Sequence, residues 1–283
     1  MSGDVGKQII NAVLLGQLSA ARGAQAYVTG AMLAQGAGLE TLGTVNPSAF
    51  AGLASDGRPL ATLLYLPAIN TARALAAGMA PNAAMAMGLE QMARMTATQI
   101  NDASRVATSV AMTAESRCVS YVRVVKLPAC ARCIILAGRQ YTYSEGFKRH
   151  PKCDCGMEPM SDQEWRDSDS NPKKLYDAMT PEERLRRFGA AGVDAMANGA
   201  DMSQVVNARR GMATTTTGKR VTTEGTTKRG IGGKALNSGF EKIPGKRYMR
   251  AREARLMPEQ ILENAHGDRE LQVALLKKHG YIT

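Results

Sequence analysis

The chain has 283 residues, 44% hydrophobic and 22% charged, with a formal net charge of +11. That length suffices for one large domain or two small ones with a buried core. Sixteen methionines and only 5% aromatic residues favour helices over an all-β design. The start, Met-Ser-Gly-Asp, has no basic flank before a hydrophobic run, so no secretory signal is expected. The longest uncharged stretches, 23–39 and 74–89, are broken by Gly, Pro, Asn or Thr and are too weakly apolar to span a bilayer. A soluble protein without a membrane partner is expected.

Residues 4–35 predict one long helix or two broken ones, with Val5, Ile9, Val13, Leu18, Ala21, Val28 and Met32 at helical steps and Gly16, Gly23 and Gly30 weakening the run. Asn46-Pro47 and Asp56-Gly57 signal turns. A helical segment follows from about Pro59 to Gly78, with a kink or restart at Pro67. Pro81-Asn82 opens the clearest helix, to about Arg117. Its expected packing stripe is Leu89, Met92, Ile100, Ala103, Val106 and Val110.

From Cys118 to Val125 the sequence is short, β-branched and alternating, which predicts a strand. Beyond the cysteine cluster, Ser161-Asp-Gln-Glu164 and Thr180-Pro-Glu-Glu183 are capping-box signatures of helix starts, the second with Pro at the first helical position. Helices punctuated by Gly189 and Gly192 should run to about Ala208. Residues 211–247 have no periodicity and read as a loop or extended arm. Helices return at Pro258 and Asp268, and Gly280 should close the last one after Lys277 and Lys278.

Charge is concentrated. Residues 1–100 have a net charge of +1, whereas residues 205–255 hold 13 basic and 3 acidic side chains, net +10. Paired basics recur there as Arg209-Arg210, Lys219-Arg220, Lys228-Arg229 and Lys246-Arg247. Such pairs can follow a phosphate backbone. The segment's two aromatics, Phe240 and Tyr248, are too few for base stacking. Sequence-blind contact with DNA phosphates is therefore the expected use.

Four of the five cysteines and one of the three histidines fall between residues 130 and 155. Cys130-Ala-Arg-Cys133 and His150-Pro-Lys-Cys153 each have the two-residue gap that lets a tight turn aim both side chains at one ion. Cys155, two residues beyond Cys153, is a fifth donor. Four of Cys130, Cys133, His150, Cys153 and Cys155 would complete a tetrahedral zinc site. Cys155 can replace Cys153 or His150 in that set. With four or five donors no position need stay open for water, no His-Glu-x-x-His helix is present, and Asp154 points away on an extended chain, so the site reads as structural. Cys118, on the preceding strand, is expected to be a buried free thiol.

Tyr121-Val-Arg123-Val-Val, Cys130-x-x-Cys133, Leu136-Ala-Gly138, Tyr141, Gly146-Phe147 and His150-Pro-x-Cys153-Asp-Cys155 resemble the MuF-like minor head proteins of tailed phages, above all those of actinobacterial phages. Gln204 to Gly211 and the ending from Arg255 to Ile282 resemble them too, so the likeness covers roughly residues 80–283. It implies a low-copy head-morphogenesis protein inside the virion head near the portal, made in the host cytoplasm, with portal, major capsid and scaffold proteins as partners and packaged double-stranded DNA as a further contact.

The expected fold class is α+β and mostly helical. Residues 1–116 form a helical N-terminal domain, 117–208 a zinc-knuckle MuF-like core, 209–255 the basic extended arm and 256–283 a C-terminal helical segment. The alternative function is a capsid maturation protease, a label some relatives carry. The residues oppose it: there is no Gly-x-Ser-x-Gly elbow and no Asp-[Thr/Ser]-Gly. His150 is a metal donor on this reading, and His279, in a last helical turn, is expected to be a helix-end cation. A second alternative is a zinc-ribbon protein that binds nucleic acid without sequence preference. No enzyme activity is expected.

Overall fold

A computed structural model describes residues 3–147, 149–150, 153, 155–161, 170–224, 240–242 and 249–282, with the backbone alone at 240–242 and 249–253. The chain is mostly helical with two small antiparallel sheets, an α+β fold of the expected class. It divides into two compact units, residues 1–129 with 137–170, and residues 130–136 with 171–283.

In the first unit the N-terminal helical run breaks at Gly23 into α1 (Asp4–Arg22) and α2 (Ala24–Ala34). A 3-10 turn at Pro47–Phe50 and the short α3 (Leu60–Leu64) follow, and Pro67 sits in the first turn of α4 (Leu66–Ala76), where its missing N–H costs nothing. The central element is α5 (Pro81–Ala114), against which α1, α2 and α4 pack.

The buried face of α5 differs from the stripe of large apolar residues expected for it. Ala103 is buried, and Met92 and Ile100 pack against the core of Val13, Leu60 and Leu64. Leu89, Val106 and Val110, however, are exposed, Leu89 to 71%. Much of the buried face is made of small residues, Ala84, Gly88, Ala103, Ala107 and Ala111, with Gln99, Asp102, Arg105, Thr108 and Met112 buried beside them. A Cβ on Gly88 would meet the Thr71 hydroxyl at 2.0 Å, so α4 lies against this face at a distance that large side chains would forbid. Periodicity of large apolar residues cannot register a face made of Ala and Gly.

The predicted strand is β1 (Ser120–Val124), the middle of a three-stranded sheet with β2 (Gln140–Thr142) and β3 (Gly156–Met160), all antiparallel. Tyr121 lies opposite Tyr141 on one side and Pro159 on the other, and Arg123 opposite Met157. Residues 120–123 are all buried, so both faces of β1 are covered rather than one. The Tyr27 hydroxyl donates to the Met157 carbonyl at 2.8 Å and the Gln35 amide to the Pro159 carbonyl at 2.7 Å, which ties α2 to β3.

The second unit holds the one-turn α6 (Ala131–Ile134), then α7 (Pro172–Asp177), α8 (Pro181–Phe188), α9 (Ala190–Ala197) and α10 (Met202–Ala208). The Thr180–Glu183 capping box forms as the sequence predicts, with both reciprocal hydrogen bonds. Most of the Ser161–Glu164 signature lies outside the described residues.

The described part of the basic segment, read from the sequence as a loop or extended arm, is instead paired strands. β4 (Met212–Thr214), β5 (Arg220–Glu224), β6 (Phe240–Lys242) and β7 (Met249–Leu256) form an antiparallel sheet in the order β4-β5-β7-β6. Its inward anchor is Thr222, fully buried, whose hydroxyl donates to the Ala208 carbonyl at 2.6 Å. The signal for β5 is the three β-branched residues Val221-Thr222-Thr223, too short to stand out in a background rich in Gly, Thr and Lys.

The last two helices are α11 (Pro258–Ala265) and α12 (Arg269–Lys278), the second capped by the Asp268 side chain and stopped by Gly280 at φ +71°. Ala195, Val205, Ala208, Met257, Ile261, Leu276 and Tyr281 form the core of this unit. Among the described residues no helix is long and apolar enough to cross a membrane.

Candidate metal centre

The Cys130–Cys133 gap forms the tight turn expected of it, while residues 151–152 between His150 and Cys153 lie outside the described residues. The Cys133 N–H donates to the Cys130 carbonyl at 3.0 Å, with Cys130 at the N-cap of α6, and the Cys153 N–H donates to the His150 carbonyl at 3.2 Å. Cys155 leads straight into β3. The donor atoms fall into two overlapping groups, each within 4.8 Å: Cys130, Cys133 and His150, and Cys133, Cys153 and Cys155. All five donors named from the sequence are thus in a cluster that could hold a metal ion. Cys133, Cys153 and Cys155 are buried, Cys130 is exposed and His150 half-buried. Asp154 lies outside the described residues.

The first unit supplies what surrounds Cys153 and Cys155. Arg105, on the buried face of α5, donates from Nε to the Cys155 carbonyl at 2.7 Å and from Nη2 to the Cys153 carbonyl. Its Nη1 donates to Asp102 at 2.9 Å, one helical turn back. Asp102, 6% exposed, also pairs with Arg149, the residue before His150, and accepts from the Ser55 hydroxyl at 2.5 Å. One carboxylate on α5 therefore holds Arg149 at one end of the donor segment and, through Arg105, the Cys153 and Cys155 carbonyls at the other.

Arg123 approaches from the sheet. It is 2% exposed and donates from Nη2 to Cys155 Sγ at 3.2 Å and to Cys153 Sγ at 3.7 Å. Its guanidinium lies 4.3 Å from the centre of the Phe147 ring, a favourable cation–π contact. Phe147 closes a cluster with Tyr121 and Tyr141, whose rings stack at 5.3 Å. Burial alone would lower the Arg123 pKa, but the hydrogen bond to Cys155 and the charges of Cys155 and Cys153 outweigh it and raise it.

Arg105, Asp102, Arg123 and Arg149 were not singled out by spacing. Two signals were present. Asp102 and Arg105 are an i,i+3 pair in a helix with only four charged residues, and Arg123 is the lone charge in the β-branched run 120–125. Cys118 is buried as expected; burial pushes its thiol up, and its Sγ lies 3.5 Å from the Ser120 carbonyl.

His279 departs from the helix-end cation expected of it. Burial, then the charges of Lys278 and Arg255, push its pKa below the ordinary histidine value. Its Nδ1 faces the Leu256 N–H at 3.4 Å, an acceptor's role that needs the neutral ring. A cation here would sit beside two others, and that outweighs the helix dipole.

Of the eight basic residues named for the arm, Arg209 pairs with Glu259 at 3.7 Å and donates to the Phe188 carbonyl, and Arg220 pairs with Glu263 at 3.1 Å. Arg210 and Lys219 are exposed. Lys228, Arg229, Lys246 and Arg247 lie outside the described residues.

None of the curated proteins and none of the solved structures matches the chain. Residues 66–181 match the family model described as VG15 protein, a viral protein family. The match takes in α4, α5, the three-stranded sheet and all five metal donors, less than half of the chain, and it supports a phage protein.

Proposed function

We propose that this chain is a minor head protein of a tailed phage, a structural component inside the head that contacts portal and capsid proteins and serves in head morphogenesis. The observation that carries the reading is a coincidence of residues. Tyr121, Arg123, Tyr141, Phe147, Cys153 and Cys155, which carry the resemblance to MuF-like proteins, form one contact network, and that network lies within the stretch that matches a viral family. On this reading the metal is zinc, bound by four of Cys130, Cys133, His150, Cys153 and Cys155, and its role is to hold the fold together.

The chain then needs no peptidase of its own. His150 serves the metal, His266 caps α11 in a left-handed conformation, and His279 is turned to the Leu256 backbone. Exposed Arg210 and Lys219, with the remaining basic pairs, meet DNA phosphates without reading sequence. Replacing Arg210 and Lys219 with Ala should flatten the dependence of log K on log salt by roughly 0.9 for each lost phosphate contact, measured by DNA titration at several salt concentrations.

The deciding experiment is mass spectrometry of purified virions after treatment with an external protease. The full-length chain should be present at low copy and protected. Its absence from virions would overturn the reading. New cleavage products of the major capsid protein, formed on co-expression and lost on mutating His266, would assign the protease function instead.

A further inference from the structure

We propose that Arg123 and the Asp102–Arg105 pair prepare the Cys153/Cys155 loop as a half-site for a thiophilic divalent cation, Arg105 fixing its backbone and Arg123 balancing the charge of its sulfurs. The inference rests on the metal-centre reading above and adds three residues that coordinate nothing themselves. The geometry has two parts, both within the first unit.

The backbone part is a clamp. A loop that must present donors at fixed separations loses affinity if it has to be ordered when the ion arrives. Here α5 orders it beforehand. Arg105 holds the carbonyls of both Cys153 and Cys155, Asp102 orients Arg105, and the same carboxylate pairs with Arg149 ahead of His150. The clamp holds carbonyls, not sulfurs.

The charge part follows from counting. Cys153 and Cys155 as thiolates neutralise a divalent ion by themselves, so each further thiolate leaves the cluster net negative. Net charge at 2–4% exposure is costly unless it is paired. The Arg123 guanidinium, within 3.2 and 3.7 Å of the two sulfurs, supplies the compensating charge. The Phe147 ring, 4.3 Å from the guanidinium, helps to keep it there. Partners that hold or polarise ligands in this way typically change metal affinity by about 10–100-fold.

The test uses the full-length protein, purified without chelator under reducing conditions. Cobalt(II) is titrated and read by its thiolate charge-transfer absorption, and zinc affinity is taken from competition against that signal. Arg123→Gln should weaken both ions by about 10–100-fold with the far-ultraviolet circular dichroism of the metal-saturated protein unchanged. Arg123→Lys, which keeps the charge, should recover part of the loss. Arg149→Gln, at a side chain 28% exposed, removes one anchor with little risk to folding and should cost about tenfold; it decides the clamp if Arg123→Gln does not fold, and Arg123→Lys then decides the charge term. Variants that bind as tightly as wild type overturn this proposal while the metal centre stands. Wild-type protein that binds neither ion overturns the metal centre and this proposal together.

Discussion

Each unit of the molecule buries an arginine against an aromatic ring, and the two are stabilised in opposite ways. Arg123 in the first unit lies over Phe147 with the sulfurs of Cys153 and Cys155 beside it, and its pKa is raised. Arg255 in the second lies 4.8 Å from the centre of the Tyr281 ring and donates to the carbonyls of His279 at 2.8 Å and Glu224 at 3.0 Å; burial lowers its pKa. Carbonyl dipoles satisfy a guanidinium's hydrogen bonds without cancelling its charge, whereas thiolates do both. Arg255 is accordingly a structural tie that joins β5, β7 and the end of α12. Arg123 is matched to anionic sulfur, the state that a metal ion requires.

The largest effect that sharpens this contrast is loss of the metal. Elemental analysis should find about one zinc per chain, and Cys133→Ser or chelation should abolish it. Structural zinc contributes roughly 10 kcal/mol or more to local folding, so hydrogen exchange should rise sharply around β1–β3 and α6 and stay low in α11 and α12. Equal loss of protection in β1–β3 and in α11 and α12 would break the distinction.

Next is Arg255→Ala. It leaves two carbonyls without their charged donor and empties the space over Tyr281. About 3 kcal/mol of destabilisation is expected, read from the urea midpoint, with zinc content unchanged. A variant that also loses zinc would show that Arg255 is more than a tie within its own unit.

The pH response should separate the units further. Glu115 is buried, which alone would raise its pKa, but the Glu40 N–H and the Thr41 hydroxyl, both at 2.8 Å, hold it below the ordinary glutamate value. Its contribution to the first unit is complete above that value and is lost as pH falls through the lowered one. His279 is also lowered, but there the neutral form is the native one. The unfolded chain takes up that proton first, so the second unit should weaken as pH falls below about 6.5, the ordinary histidine value. Exchange rates in α12 should therefore rise at a higher pH than those at the end of α5. His279→Asn should remove the first change and Glu115→Gln the second.

The smallest effect is at the surface. Arg220 and Glu263 pair at 3.1 Å with side chains 44% and 61% exposed. Breaking the pair by Glu263→Ala should cost under about 0.5 kcal/mol in a denaturant melt. A larger cost would mean that the basic sheet owes its order to this contact.

Local chemistry makes much of the molecule legible in its sequence. A two-residue gap between soft donors lets a tight turn aim both at one ion, so Cys130/Cys133 and His150/Cys153 could be paired from spacing. Thr180, Asp268 and Gly280 cap or stop helices through bonds within a few residues of themselves, and the break at Gly23 and the restart at Pro67 follow from backbone propensity. The strand at 120–124 was visible in its β-branched run, and the segregation of charge into residues 205–255 is a property of composition.

What only the tertiary structure decided involves residues far apart in sequence. Ala and Gly make up much of the face that α5 buries, because α4 comes close enough for Thr71 to fill the space beside Gly88. Val221 and Thr222 become sheet interior because Ala208 and Leu256 are brought beside them. Arg105 meets carbonyls 48 and 50 residues away, and Arg123 meets sulfurs 30 and 32 residues away. An arginine in a helix or a strand reads as solvent-facing until the fold supplies its distant partners, because the cost of burying a charge is offset largely by groups that local sequence does not contain.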